Sequence, residues 1–207
     1  MTHRLTEIKE TKKGRYALFF DGEFYFSVDE ETLIKHHLEV DSEYSGTDVE
    51  MIREDSDYLK AKDKAFDLLA LRDHSENELY RKLLNHFDSH TAAATVARIR
   101  ELGYLDDRKF AEKLVREYSG KGKSRAEIRN KLYEKGISRE IMEEALSLLE
   151  EDESEAAYDL ICRKYSEKIK KENGKQLVAA ALARRGYRGT DIRKALSRFG
   201  YEVTEDV

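Results

Sequence analysis

A few small groups of residues in this 207-residue chain have the types and spacing to do chemistry. His86 and His90, with Asp88 between them, share one face if the stretch is helical, which would begin a metal site. Spacing supplies no third ligand, and structural zinc sites usually declare themselves through cysteines. Asp106-Asp107 reads as the acid pair of a metal-dependent nuclease, or as a helix N-cap followed by a first-turn acid that the helix dipole favours. Capping is the reading adopted, because one helix is expected to end and another to start there. His36-His37 cannot chelate together, since adjacent helical side chains point about 100° apart. Gly120-Lys-Gly-Lys-Ser124 lacks the spacing of a phosphate loop. No serine or cysteine stands in a nucleophile's context. The chain is therefore expected not to be an enzyme, with no catalytic residue, no metal and no cofactor.

The remaining charge chemistry is basic. Net charge is −5, yet residues 108–139 hold 11 Lys/Arg against 4 Asp/Glu and residues 156–207 hold 12 against 7. Residues 1–60 hold 8 against 15, which hides this segregation in the total. Lys121, Lys123, Arg125, Arg129 and Lys131 crowd the start of one helix. Arg184, Arg185, Arg188, Arg193 and Arg198 crowd the last part of the chain. A solvated face is the bland explanation. Contact with a phosphate backbone or an acidic groove is the functional one, and these ten residues are its candidate contacts.

The elements that must position those residues are mostly helical. Proline is absent, where about ten would be expected at ~5% usage. From about Ser56 onward apolar residues recur at helical spacing, beginning with Leu59, Ala65, Phe66, Leu68, Leu69 and Leu71. Leu79, Leu83 and Leu84, then Val96, Ile99 and Leu102, then Ile141, Ala145 and Leu149 are expected on buried faces. Ser75 with Glu78, and Ser124 with Glu127, spell capping boxes. Gly136 and Gly186 read as residues just past a helix end, where φ is positive. Gly120-Lys-Gly122 and Asn173-Gly174 read as flexible joints, and Phe199-Gly200-Tyr201 as a final stop like Leu102-Gly103-Tyr104. The N-terminal part differs. Arg15–Phe20 and Glu23–Val28 flank Asp21-Gly22, a two-residue hairpin signal, with Ala17, Phe19, Phe24, Phe26 and Val28 expected on one face. Leu5–Thr11 is a third strand, and 30–38 a covering helix.

The helical part repeats. Ile128, Leu132 and Gly136 return 50 residues later as Val178, Leu182 and Gly186, and 49 residues earlier as Leu79, Leu83 and Phe87. Repeats of this kind present an extended surface to a long partner. The expected fold is mainly α, with three tandem three-helix repeats forming an elongated arc behind a small antiparallel β-hairpin or meander. The expected divisions are 1–57, 58–105, 106–153 and 154–207. A single cysteine, Cys162, allows no internal disulfide and suits a reducing cytoplasm. No charged-then-apolar leader opens the chain and no apolar run approaches the ~20 residues of a membrane span. A cytoplasmic monomer without membrane contact is expected.

Arg72-Asp-His-Ser-Glu-Asn-Glu-Leu79 followed by Gly103-Tyr-Leu-Asp-Asp107 and Phe110-Ala111 resembles the RecX family of recombinase regulators, from roughly Leu59 to Gly200. The resemblance implies tandem three-helix modules that bind the RecA–single-stranded-DNA filament and modulate it, mainly by inhibiting ATPase and strand exchange in repair and the SOS response. It implies RecA as partner, with single- or double-stranded DNA as a further ligand. Arg72, Ser75, Glu78, Leu79, Gly103, Leu105 and Asp107 read as caps and core rather than contacts. The alternative is a stand-alone DNA-binding helical module, and a third reading is the nuclease.

Overall fold

Asp21 and Gly22 both take positive φ, 52° and 85°, as a two-residue hairpin turn of the type matched to strand twist requires. They join β2 (Tyr16–Phe20) to β3 (Glu23–Val28), and β1 (Thr2–Glu10) pairs with the other edge of β2. After α1 (Glu30–Lys35), a short β4 (Glu43–Ser45) completes an antiparallel sheet in the order β3-β2-β1-β4. The computed structural model describes residues 1–12, 14–150 and 152–199, so the stop expected at Gly200-Tyr201 lies outside the described residues.

The buried face of the sheet is only partly the one expected, since Ala17 and Val28 are buried and Phe26 packs on the core but Phe19 and Phe24 do not. Phe19 opposes Phe24, but Leu18 opposes Phe26, so Tyr25 is an extra residue in β3. That bulge reverses the alternation. Leu18, Phe20 and Val28 are buried, Phe26 packs against them, and Phe24 is left 59% exposed. Phe19 and Phe24 form an edge-to-face pair on the other face, 5.8 Å between centroids.

Helix α2 (Gly46–Leu71) starts ten residues before the helical periodicity was expected to begin, behind a capping box of Ser45 and Asp48. Its first half buries Val49 and Ile52 against the sheet core, and its second half buries Ala65 against α3 (Glu76–Leu83) and α4 (Ser89–Glu101). The core there comprises Leu79, Leu83, Ala92, Val96, Ile99 and Leu105. Leu84 and Leu102 were expected inside and are 40% and 44% exposed. Both lie beyond the ends of their helices, where the face turns outward.

Two further three-helix modules follow. One comprises α5 (Asp107–Gly120), α6 (Arg125–Glu134) and α7 (Arg139–Leu146), around Leu114, Val115, Ile128, Leu132 and Leu146. Met142 and Leu146 are buried beside Ala145, while Ile141 and Leu149, expected inside, are half-buried and pack against that core. The last comprises α8 (Ser154–Leu160), a π-helical turn at Ile161–Tyr165, α9 (Ser166–Ile169), α10 (Gly174–Arg184) and α11 (Gly189–Ser197). Its core holds Leu160, Ile161, Val178, Leu182, Tyr187 and Ile192. The described residues form two compact units: those of 1–73 with 79–105, and those of 74–78 with 106–199. Among the described residues no helix is long and apolar enough to cross a membrane.

Candidate interaction surface

The residues with catalytic spelling have structural tasks. Asp106 caps α5 by accepting from the Lys109 N–H at 3.0 Å. Asp107 accepts from the backbone N–H of Glu76 at 2.9 Å, so it caps a different helix. Burial pushes its carboxyl above the ordinary carboxylate range, against the lowering effect of that hydrogen bond. His86 and His90 do not share a helix face, because α3 stops at Leu83 and α4 begins at Ser89. The intervening Asp88 accepts from the N–H groups of His90 and Thr91. Among the described residues no three His, Cys, Asp or Glu side chains are arranged to hold a metal.

The signature residues instead build a joint, and the second unit contains it twice. In the first, the Ser75 hydroxyl accepts from the Glu78 N–H and donates to the Lys135 carbonyl at 2.5 Å, at the end of α6. Gly136, at φ 75°, lies so close to Asn77 that a Cβ would overlap its side chain. Lys135 also pairs with Glu78 at 2.5 Å. In the second, the Ser124 hydroxyl accepts from the Glu127 N–H and donates to the Arg185 carbonyl at the end of α10. Gly186, at φ 84°, would bring a Cβ to 2.7 Å from that of Ala126. Glu153 accepts from the Arg125 N–H at 2.6 Å, as Asp107 does from Glu76. Within the second unit, each joint thus sets the opened start of one helix on the closed end of another. The spacing of 49 and 50 residues was the visible trace of this contact, but it did not say which residues meet.

Two expected flexible joints are tightly held. Gly122 is buried, and its carbonyl accepts from the buried Tyr187 hydroxyl at 2.9 Å. Gly174 is buried against the carbonyls of Lys168 and Ile169, leaving no room for a side chain.

The ten candidate cations fall into two groups. Lys121 pairs with Glu117, Lys123 with Glu127 at 3.0 Å, Arg129 with Glu143 at 2.9 Å and Lys131 with Glu134 at 2.6 Å. Arg188 pairs with Asp191 at 3.1 Å, and Arg198 with Glu155 at 2.6 Å while stacking on Tyr158. Arg125 faces the Leu149 carbonyl at 3.5 Å. Arg184, Arg185 and Arg193 have no carboxylate partner among the described residues. The third module therefore carries the less compensated positive charge.

Three family models match. The description "Regulatory protein RecX N-terminal domain" matches residues 3–45, "RecX, first three-helix domain" residues 61–98, and "RecX, second three-helix domain" residues 106–146. Regulatory protein RecX of Clostridioides difficile (strain 630) is 30% identical over 203 residues, covering 94% of each chain. The chain belongs to the RecX family. The regulatory protein RecX of Xanthomonas axonopodis pv. citri (strain 306) is 39% identical over 141 residues, 67% of this chain and 86% of that one. A crystal structure of regulatory protein RecX superposes with a TM-score of 0.68 at 24% identity, covering 95% of this chain and 99% of the other. That of RecX from Lactobacillus salivarius gives 0.61 at 21%, covering 70% and 97%. These two likenesses establish the fold, a small N-terminal sheet followed by tandem three-helix RecX domains.

Proposed function

We propose that this chain binds the RecA–single-stranded-DNA filament and modulates it, mainly by inhibiting its ATPase and strand exchange. It does so without catalysis of its own, as a cytoplasmic monomer. The observation that carries this reading is the repeated joint. Ser75 with Gly136 and Ser124 with Gly186 make the same contact twice within the second unit. A surface made by repetition suits a partner made by repetition, and linked weak contacts add avidity when their spacing matches. The modules are taken as residues 1–57, 58–105, 106–153 and 154–207, with α2 spanning the first division. The basic residues of the second and third modules are the proposed contacts.

The test is RecA's ATPase rate on single-stranded DNA, titrated with this chain. Loss of activity well below one chain per RecA is expected, because one chain meets several protomers. No loss at saturation would remove the reading. The uncompensated Arg184, Arg185 and Arg193 favour a second reading, a DNA-binding module acting alone. That reading requires salt-sensitive binding to naked duplex with preference for one sequence.

A further inference from the structure

The first unit keeps an apolar groove along α2. Leu59, Lys62 and Phe66 follow one another at spacings of three and four, so they share one stripe of that helix. Residues of α1 and of the end of α4 line the same groove, which has a volume of about 380 Å³. Leu59 and Phe66 are only half-buried, and the exposed Leu102 lines the groove with them. The Phe66 ring meets the exposed Tyr104 edge-on at 5.2 Å, which extends the apolar surface. Continuous exposed apolar surface of this kind marks an interaction site.

The polar groups of the groove are unevenly matched. Asp55 is already met, by Lys35 at 2.7 Å and His36 at 2.6 Å. Arg98 has Glu101 at 3.1 Å, but both side chains are at least half exposed, where such a pair holds weakly. Among the described residues Lys62 has no carboxylate partner and the Tyr58 hydroxyl no hydrogen-bond partner. Glu31 is the unpaired carboxylate of the lining. Donors that are free or loosely held therefore outnumber acceptors.

We propose that this groove receives a short acidic amphipathic helix of a partner protein. Its apolar side chains lie on Leu59, Phe66 and Leu102, and its carboxylates meet Lys62, Arg98 and the Tyr58 hydroxyl. From Asp55 to Phe66 the stripe runs ~16 Å, the length of about three helical turns. Walls made of helices offer no strand edge, so an extended peptide gains no backbone partners there. A helix arrives with its own backbone bonds made and presents side chains alone. The surplus of donors selects an anionic occupant, since carboxylates make charge-assisted hydrogen bonds with them. The groove uses none of the ten cations proposed as filament contacts, so its occupancy does not depend on that reading.

The experiment is fluorescence anisotropy with two labelled helical peptides of about three to four turns. Both carry the same leucine stripe, flanked by Glu in one and by Lys in the other. They are titrated with the full chain, with Leu102→Glu, and with Lys62→Glu combined with Arg98→Glu. The Glu peptide should bind the full chain saturably and about tenfold more tightly than the Lys peptide. That order runs against the chain's net charge of −5, which by itself attracts the Lys peptide. Leu102→Glu, at an exposed site outside the core, should weaken the Glu peptide about tenfold. The charge-reversed variant should prefer the Lys peptide, and that gain also shows the variant to be folded. Absence of saturable binding, equal binding of both peptides, or Glu-peptide binding that neither variant changes would overturn the proposal. Displacement of the Glu peptide by oligothymidylate or by decanoate at equal concentration would assign the groove to nucleic acid or to a fatty acid and overturn it. A dimer in sedimentation that Leu102→Glu abolishes would assign it to a second copy and overturn it too.

Discussion

Asp107 shows how a residue that looks catalytic becomes structural through what it caps. Its carboxylate is half-buried against the first turn of α3, and desolvation outweighs the hydrogen bond it accepts from Glu76. Glu153 repeats the arrangement at Arg125, with its carboxyl likewise raised by burial. The sign follows from linkage. A carboxyl whose folded pKa lies above its unfolded value binds more protons in the folded state, so stability falls as pH rises through that interval. Asp107→Asn keeps an acceptor for the Glu76 N–H and removes the titration. Urea unfolding followed from below the ordinary carboxylate pKa to neutrality should show a shallower loss of stability in the variant. An identical slope would mean that burial at Asp107 does not set its ionisation. None of this was legible in the sequence, where Asp106 and Asp107 were interchangeable as caps.

At the scale of elements, each middle helix is defined by what its ends touch. Ser124 and Glu127 complete a capping box, as their spacing required. The same serine reaches a carbonyl 61 residues further on, which no local rule contains. Gly186 then carries two demands, a positive φ and space for Ala126. Gly186→Ala should lower stability by about 1–2 kcal/mol from the left-handed backbone alone, with the overlap on Ala126 adding to it. Adding Ala126→Gly should restore only the overlap part, as read from urea midpoints. Full recovery would mean that φ carries no strain, and no recovery would mean that the overlap is absent. Other elements escaped the sequence for plain reasons. Strict alternation cannot reveal an inserted residue such as Tyr25, so Phe24 was grouped with Phe26 and Val28, and Phe19 rather than Leu18 and Phe20 was placed inside. The start of α2 was hidden because Val49 and Ile52 lie among Glu50, Glu54, Asp55 and Asp57.

On the scale of the whole molecule, the first and last middle helices each carry half of a joint. The glycine position of the first middle helix is Phe87, which packs on its own module's core. The serine position of the third is Gly174, buried under the Lys168 and Ile169 carbonyls. Each terminal module thus lacks one half of a joint, as end repeats of such arrays do. The charge pattern makes a prediction at this scale. Reversing Lys121, Lys123 and Arg125 to Glu should weaken RecA-filament binding with helix content intact, because exposed ion pairs contribute only about 0–1 kcal/mol and leave such cations available. Reversing Arg184 and Arg193 should cost more per charge, since no carboxylate offsets them. Pull-down of filaments over a concentration series would measure both. Unchanged binding in either set would mark that patch as a solvated face.

What the sequence determined by itself was everything carried by local pattern. The Asp21-Gly22 hairpin, the helical period, the serine caps and the positive-φ glycines follow from residues within a few turns of one another, and the spacing of the modules from the return of that pattern 49 and 50 residues on. Tertiary structure alone decided which cap meets which carbonyl, why Gly122 and Gly174 are held rather than loose, and which arginines lack partners. Apart from Gly174, which meets carbonyls five and six residues back, those contacts join residues 28 to 65 positions apart that approach only in the folded chain. No periodicity within one helix encodes that approach.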